Sequence, residues 1–262
     1  PLEKKSVVGY YFDTVITLTA YARSEAEFQS ASQEAHALFR RLHAVFDRYH
    51  ESEGIAGVWA VNHAEGVEVR VEPELMEALR LCARYYGQAG GKVDVAMGTL
   101  FDVWHEYREA GVAVPGEDIL KEARAHGGMD LLTLDEDAGT VTFSDPEATL
   151  DVGAVGKGYA AQKVGELLSQ RLPSFLLDAG GNVVAGSAPA DGRLSWSIGV
   201  QDPFDAEEIL VVLSLAGASA VTSGGYQRYY EVDGVRYHHL IDPDTMYPAG
   251  ACAQATVIAE DS

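Results

Sequence analysis

Residues 151–158, Asp-Val-Gly-Ala-Val-Gly-Lys-Gly, gather three glycines and a lysine where a strand over Ala148–Val152 should turn into a helix. The helix is marked by Ala160, Val164, Leu167 and Leu168 at helical spacing. Glycine lacks the Cβ that keeps a ligand away from main-chain N–H groups, and a helix start offers unpaired N–H groups and a positive dipole end. The chemistry this suits is binding of a phosphate or pyrophosphate, with Lys157 adding a full charge. The same glycines could equally serve close packing alone. A second candidate is the pair His238-His239 in an extended stretch. Imidazole suits proton transfer near neutral pH, and in a strand the two rings would face opposite sides. Such a pair can also be an ordinary surface or core feature.

The spacing of the glycines is G-x-x-G-x-G, which is neither the G-x-G-x-x-G of a dinucleotide fingerprint nor a P-loop. Asp178 follows the apolar run Phe175-Leu176-Leu177, about where the ribose-binding acid of a Rossmann unit would lie, so a nicotinamide enzyme is a formal competitor. The strand-rich, turn-punctuated C-terminal third argues against it, because repeated βαβ units are missing from the pattern.

Several elements are legible around these residues. Val7–Tyr21 reads as one or two strands, and Ser24-Glu-Ala-Glu27 has capping-box spacing ahead of a helical stripe from Phe28 to Phe46. A second helix should begin near Pro73 and end in the Gly87–Gly91 cluster, and a short one should cover Glu117–His126. Short strands flank Asp135–Gly139, Val211–Leu215 reads as extended, and Asp233-Gly234 is a strong hairpin signal. Helices and antiparallel strands interleave without βα alternation, which predicts an α+β fold.

With 262 residues, 47% of them hydrophobic, the chain can bury a large core. Nineteen basic against forty acidic residues give −21, which disfavours nucleic acid and anionic membrane surfaces. An anionic ligand must therefore be held by local N–H groups, a cation or a metal. The two cysteines, Cys82 and Cys252, form no metal-binding pair, and Cys82 falls in a helical pattern that predicts a buried thiol.

Phe12-Asp13-Thr14, Val93–Gly98, Trp104–Arg108, Asp178-Ala-Gly-Gly-Asn182, Thr222-Ser-Gly-Gly-Tyr226 and His238–Pro243, in this order and with the glycine–lysine segment, resemble the ApbE family of flavin transferases. The resemblance covers nearly the whole chain. It implies a single domain over residues 1–262, with mixed and antiparallel sheets packed with helices and a ligand cleft between two integrated halves. It also implies Mg²⁺-dependent transfer of FMN from FAD to a threonine of an acceptor flavoprotein, releasing AMP. A FAD pyrophosphatase and a non-catalytic flavin-binding protein are the alternatives. Phosphoryl transfer of this kind rests on positioning and charge neutralisation.

Position by position, the resemblance makes His239 the base that activates the threonine. It makes Phe12, Tyr49, Trp104, His105, Glu106, Asp151 and Lys157 contacts of FAD, with Ile241 lining the pocket beside His239. Ala154 would bind Mg²⁺ through its main-chain carbonyl. Asp178–Asn182 and Thr222–Gly224 would shape the flavin side, and Gln227 stands where many relatives carry Glu. Relatives continue past the strand at Ala255–Ala259 into an Ala-Asp-x-x-x-Thr segment whose Asp and Thr bind the metal. Residues 1–262 stop short of it, so these residues alone are expected to bind Mg²⁺ poorly. The family further implies an outward-facing envelope protein, joined to the membrane only through an N-terminal lipid anchor outside this chain.

Overall fold

The structure, a computed structural model, describes residues 3–205, 207–226 and 228–262, with side chains from residue 9 onward. Gln227 lies outside the described residues. The chain opens with β1 (Glu3–Tyr11), β2 (Thr14–Ala22), α1 (Glu25–Phe46), α2 (Val58–Asn62), β3 (Val69–Arg70), α3 (Pro73–Gln88), α4 (Gly98–Ala110) and α5 (Glu117–Ala125). It continues through β4 (Leu132–Asp135), β5 (Thr140–Phe143), α6 (Gly153–Arg171), β6 (Phe175–Ala179), β7 (Asn182–Ala185) and β8 (Trp196–Gln201). Last come β9 (Ile209–Leu215), β10 (Ala218–Gly224), β11 (Tyr229–Val232), β12 (Val235–His238) and β13 (Gln254–Ala259). No helix among the described residues is long and apolar enough to cross a membrane.

Two compact units result. The first comprises Pro1–His43, Gly156–Gly224 and Gln254–Ser262, the second Ala44–Val155 and Gly225–Ala253. In the first, six strands form one sheet in the order β1-β2-β6-β7-β10-β13, every neighbouring pair antiparallel. This removes the Rossmann competitor, since Asp178 sits in β6 between two antiparallel neighbours, Thr17 of β2 and Val183 of β7. Alternation explains the burial of β6: Phe175, Leu177 and Ala179 are buried, while Leu176 and Asp178 between them are less so. The β6–β7 connection is the two glycines Gly180 and Gly181, both at positive φ (62° and 91°), the geometry of a tight hairpin turn.

Half of the capping box of α1 forms: Ser24 Oγ accepts the Glu27 N–H at 3.2 Å, while the Glu27 carboxylate takes the N–H of Arg23, one residue before the cap, at 2.8 Å. Phe28, Phe39 and Leu42 of the stripe are each 2% exposed or less, and each contributes about 1.5–3 kcal/mol through burial. Phe39 stacks on Tyr11 of β1 with centroids 5.9 Å apart. In α6, a Cβ on Gly165 would meet Val184 of β7 at 2.9 Å, so this glycine lets the helix lie close to the sheet.

The second unit holds α2 to α5, the three-stranded sheet β3-β5-β4 and the hairpin β11–β12. Asp233 and Gly234 close that hairpin at φ 51° and 77°, as the dipeptide predicts. Cys82 is buried in α3, and burial pushes its thiol up to about 12.

One expected element does not form. Ala148–Val152 is not a strand, although Ala148, Leu150 and Val152 are buried in alternation. Its bonds go to scattered partners and not to a ladder. Asp151 N–H donates to the Val95 carbonyl at 2.8 Å, the Thr149 carbonyl accepts from Gly98 at 3.0 Å, and the Asn62 side chain bonds Leu150 N–H and C=O at 2.7 and 3.0 Å. The helix also begins earlier than the glycines suggested: Gly153, Gly156 and Gly158 lie within its first two turns, not in a preceding bend.

Candidate functional site

Most of the residues singled out from the sequence fall in the second unit; Phe12 and Lys157 belong to the first. The second unit's set is organised by a residue that sequence reasoning passed over, Arg48. Its side chain is 9% exposed and donates to Asp102 Oδ2 at 2.7 Å and to Asp151 Oδ2 at 2.8 Å. Burial works against the guanidinium's charge, but the two carboxylates outweigh it and hold its pKa above the ordinary value. Burial pushes the Asp102 carboxyl up against the pull of Arg48. Nothing local in the sequence links Arg48 to Asp151, which lies 103 positions away.

Next to Arg48 the ring of Tyr49 is 54% exposed. The guanidinium lies 5.5 Å from its centroid, and the His105 ring 5.9 Å away. His105 Nδ1 accepts from Arg108 at 2.7 Å, fixing the imidazole. His105 and Glu106 follow Asp102 on α4 by three and four residues, so each neighbours it on the helix surface, with Glu106 exposed. The arrangement presents an exposed aromatic ring, backed by fixed side chains, on which a planar ring could stack.

Asp151 has a second task. Its Oδ1 accepts the N–H of Gly153 at 2.8 Å, so it caps the first turn of α6, while Val155 N–H goes to the Val152 carbonyl at 2.9 Å. A Cβ on Gly153 would lie 2.9 Å from that carboxylate oxygen, which accounts for this glycine without a ligand. The helix start expected to receive an outside anion therefore already holds an internal one. Ala154, one residue into α6, is exposed. A helical carbonyl bonds the amide four residues on and keeps one lone pair, so Ala154 can offer a metal a single oxygen.

The histidine pair divides cleanly. His238 ends β12 with both ring nitrogens engaged: Nε2–H donates to the Ala249 carbonyl at 2.8 Å, and Nδ1 accepts Leu240 N–H at 3.2 Å. A Cβ on Gly225 would come within 2.5 Å of this ring, so that glycine makes room for it. His239, just beyond the strand, is half-buried, and its Nδ1–H donates to the Arg228 carbonyl at 3.3 Å. That bond selects the tautomer whose Nε2 carries the lone pair. Burial is the main cause that brings its pKa down to about 4; the bond to the Arg228 carbonyl opposes it, and the charges of Arg228 and Arg108 add to the lowering. At neutral pH the ring is an unprotonated acceptor.

Trp104 and Ile241 join an apolar cluster with Met97, Leu100, Leu120 and Tyr230. Trp104 is 3% exposed, its ring stacks on Tyr237 at 6.0 Å, and its Nε1–H donates to the Met246 carbonyl at 2.9 Å. The structure thus places Trp104 in the packing beneath the hairpin. Met246 holds φ +63°, which sequence reasoning missed because nothing in a methionine announces a left-handed backbone.

In the first unit, Phe12 and Asp13 form the β1–β2 turn at φ 54° each, and the Phe12 ring meets His43 edge-on at 5.2 Å. Lys157 is the fifth residue of α6 and is half-buried. Gly180 is required by packing as well as by its turn, since a Cβ there would strike Thr14 Oγ1 at 2.0 Å. The Thr222 hydroxyl pairs with that of Thr256 across β10 and β13 at 2.9 Å. These two motifs therefore have structural duties of their own.

An antiparallel six-stranded sheet in one unit, and helices with a three-stranded sheet and a hairpin in the other, define the class, an α+β protein. The chain matches the ApbE family over residues 12–262 and belongs to it. It is 34% identical over 244 residues to a FAD:protein FMN transferase of Treponema pallidum, covering 87% of this chain and 66% of that protein. A protein of the same name from Klebsiella pneumoniae is 32% identical over 235 residues, covering 86% and 72%. Among solved structures, the ApbE protein of Thermotoga maritima superposes with TM-score 0.88 at 24% identity, over 99% of this chain and 82% of that one. The flavin transferase ApbE of Vibrio cholerae gives 0.84 at 22%, over 100% and 83%. These two likenesses establish the fold.

Proposed function

We propose that the chain acts as a FAD:protein FMN transferase and that residues 1–262 are one domain of that family. The acceptor is a flavoprotein, and the group modified is a threonine hydroxyl. The observation that carries this reading is His239, a histidine that is neutral at pH 7, with Nδ1 fixed on a main-chain carbonyl and Nε2 left as a base. His239 Nε2 takes the hydroxyl proton as the threonine oxygen attacks the phosphorus of the FMN moiety. The bond to the AMP phosphate then breaks and AMP leaves. The Tyr49 ring, with Arg48 and His105 beside it, is suited to the aromatic part of FAD, and Lys157 supplies charge for its phosphates.

Mg²⁺ belongs to the proposal through the family alone. It prefers near-octahedral oxygen ligation with one or two carboxylates, yet among the described residues no three His, Cys, Asp or Glu side chains come together to hold a metal. The carbonyl of Ala154 is one oxygen. These residues do not by themselves fit the ion, and no step is drawn through it. An outward-facing place in the cell envelope, with an N-terminal lipid anchor, is likewise a proposal from the family.

The test is mass spectrometry after incubation with FAD and an acceptor flavoprotein. FMN attached to a threonine peptide, with AMP released, supports transfer. Free FMN with AMP makes water the acceptor, and unchanged FAD leaves a flavin-binding protein only.

A further inference from the structure

We infer that Arg48 is a positioning residue for the FAD-binding face, acting through Asp151 and Tyr49. This rests on the reading of the chain as a FAD-using protein. Asp151 is held at both oxygens, Oδ2 by Arg48 at 2.8 Å and Oδ1 by the N–H of Gly153 at 2.8 Å, so its carboxylate has one orientation. Tyr49 is fixed at its main chain by Asp47 Oδ1, which accepts its N–H at 2.7 Å, and its ring has the guanidinium alongside. One nearly buried side chain thereby sets two groups expected to meet the substrate.

The chemistry needs an arginine. The two carboxylates are reached by different nitrogens, Nη1 for Asp151 and Nη2 for Asp102, and a planar fork serves two diverging acceptors where an ammonium is a single point charge. A chain of net charge −21 has no shortage of carboxylates, and placing two of them on one nearly buried cation directs both.

The experiment compares Arg48→Lys and Arg48→Met with Asp102→Asn, which leaves the Arg48–Asp151 bond in place. FAD affinity is read by flavin fluorescence, folding by circular dichroism and thermal unfolding, and the cap by amide exchange at Gly153. Arg48→Lys should fold, exchange Gly153 faster and bind FAD about tenfold more weakly, because charge is retained and geometry lost. In the transfer assay its KM for FAD should rise with kcat held. Asp102→Asn should bind FAD within about threefold of the parent, since removing a partner outside the site leaves the directed bond. A folded Arg48→Lys with parental FAD affinity overturns the inference, as does unfolding of both Arg48 variants, which would make the role structural. Failure of the parent protein to bind FAD defeats the proposed function instead, and unchanged Gly153 exchange in Arg48→Lys would then overturn the positioning role separately.

Discussion

The start of α6 and the end of β12 both carry residue types that promise chemistry, and they use them in opposite ways. At α6 the promise lies in glycines, a lysine and free helix amides, but the Gly153 N–H is taken by Asp151, whose charge is in turn taken by Arg48. At β12 the promise is a bare His-His pair. There His238 spends both nitrogens on the turn, and His239 spends one in a way that leaves the other as a base. A motif shows which groups are available; the hydrogen-bond accounting shows which of them are still unspent.

The largest effect expected from this contrast is at His239. His239→Ala should bind FAD nearly normally and transfer FMN about 10²–10⁴-fold more slowly, the usual span for loss of a general base. His238→Ala should lose stability instead, because Leu240 N–H and the Ala249 carbonyl lose their partner. Comparable transfer by the parent and His239→Ala would erase the distinction between the two rings.

The same contrast can be sharpened by titration. The folded pKa of His239, about 4, lies below its ordinary 6.5, so between these values the unfolded chain binds the extra proton. Stability from this group is complete above pH 6.5 and falls as pH drops towards 4. The base should likewise stay unprotonated from pH 8 down to about pH 5, with an acid limb of transfer only below that. NMR of the His239 imidazole checks the value directly, and a midpoint near 6.5 would show that the ring is not desolvated as described.

Much of the scaffold was legible because its determinants are local. Ser24 and Glu27 lie three apart, Asp233-Gly234 adjoin, and β6 alternates within five residues. What escaped was set by distant partners. Ala148–Val152 alternates like a strand but bonds to Asn62 and Val95, so a correct burial pattern led to a wrong element. Arg48 sits just after a helix, as surface arginines often do, and its meaning depends on Asp102 and Asp151, which the fold alone brings to it. Of the candidate site, His239 is singled out by family resemblance. Its tautomer and lowered pKa required the Arg228 carbonyl and the surrounding burial.

At α6 the expected effect is smaller. With the Gly153 amide already capped, attraction for the phosphates of FAD there should rest more on Lys157 than on the helix start. Lys157→Ala removes one charge-assisted contact, about 1.5–3 kcal/mol, and should weaken FAD binding about tenfold or more. Equal calorimetric titrations of both proteins would mean that neither the lysine nor the helix start meets the pyrophosphate.

The smallest effect concerns the turn that follows His239. Met246 is held at φ +63° by four constraints: its N–H donates to the Asp242 carbonyl at 2.8 Å, its carbonyl accepts from Trp104, Asp242 N–H donates to the Tyr247 carbonyl at 2.9 Å, and Lys92 bonds Asp242 and Asp244 at 2.7 and 2.8 Å. Such over-determination can keep a side-chain-bearing residue left-handed at a cost of about 1–2 kcal/mol. Met246→Ala and Met246→Gly both delete the contacts of the side chain with the Trp104 cluster, so the difference between them isolates the backbone. Elsewhere in a chain alanine is the more stable by about 0.4–1 kcal/mol, through the entropy of the unfolded state. Here the left-handed strain should outweigh that entropy, leaving the glycine variant more stable by about 0.5–1 kcal/mol. Denaturant unfolding of the two variants decides it, and an alanine variant of equal or greater stability would mean that the turn relaxes out of the left-handed region once the methionine is gone.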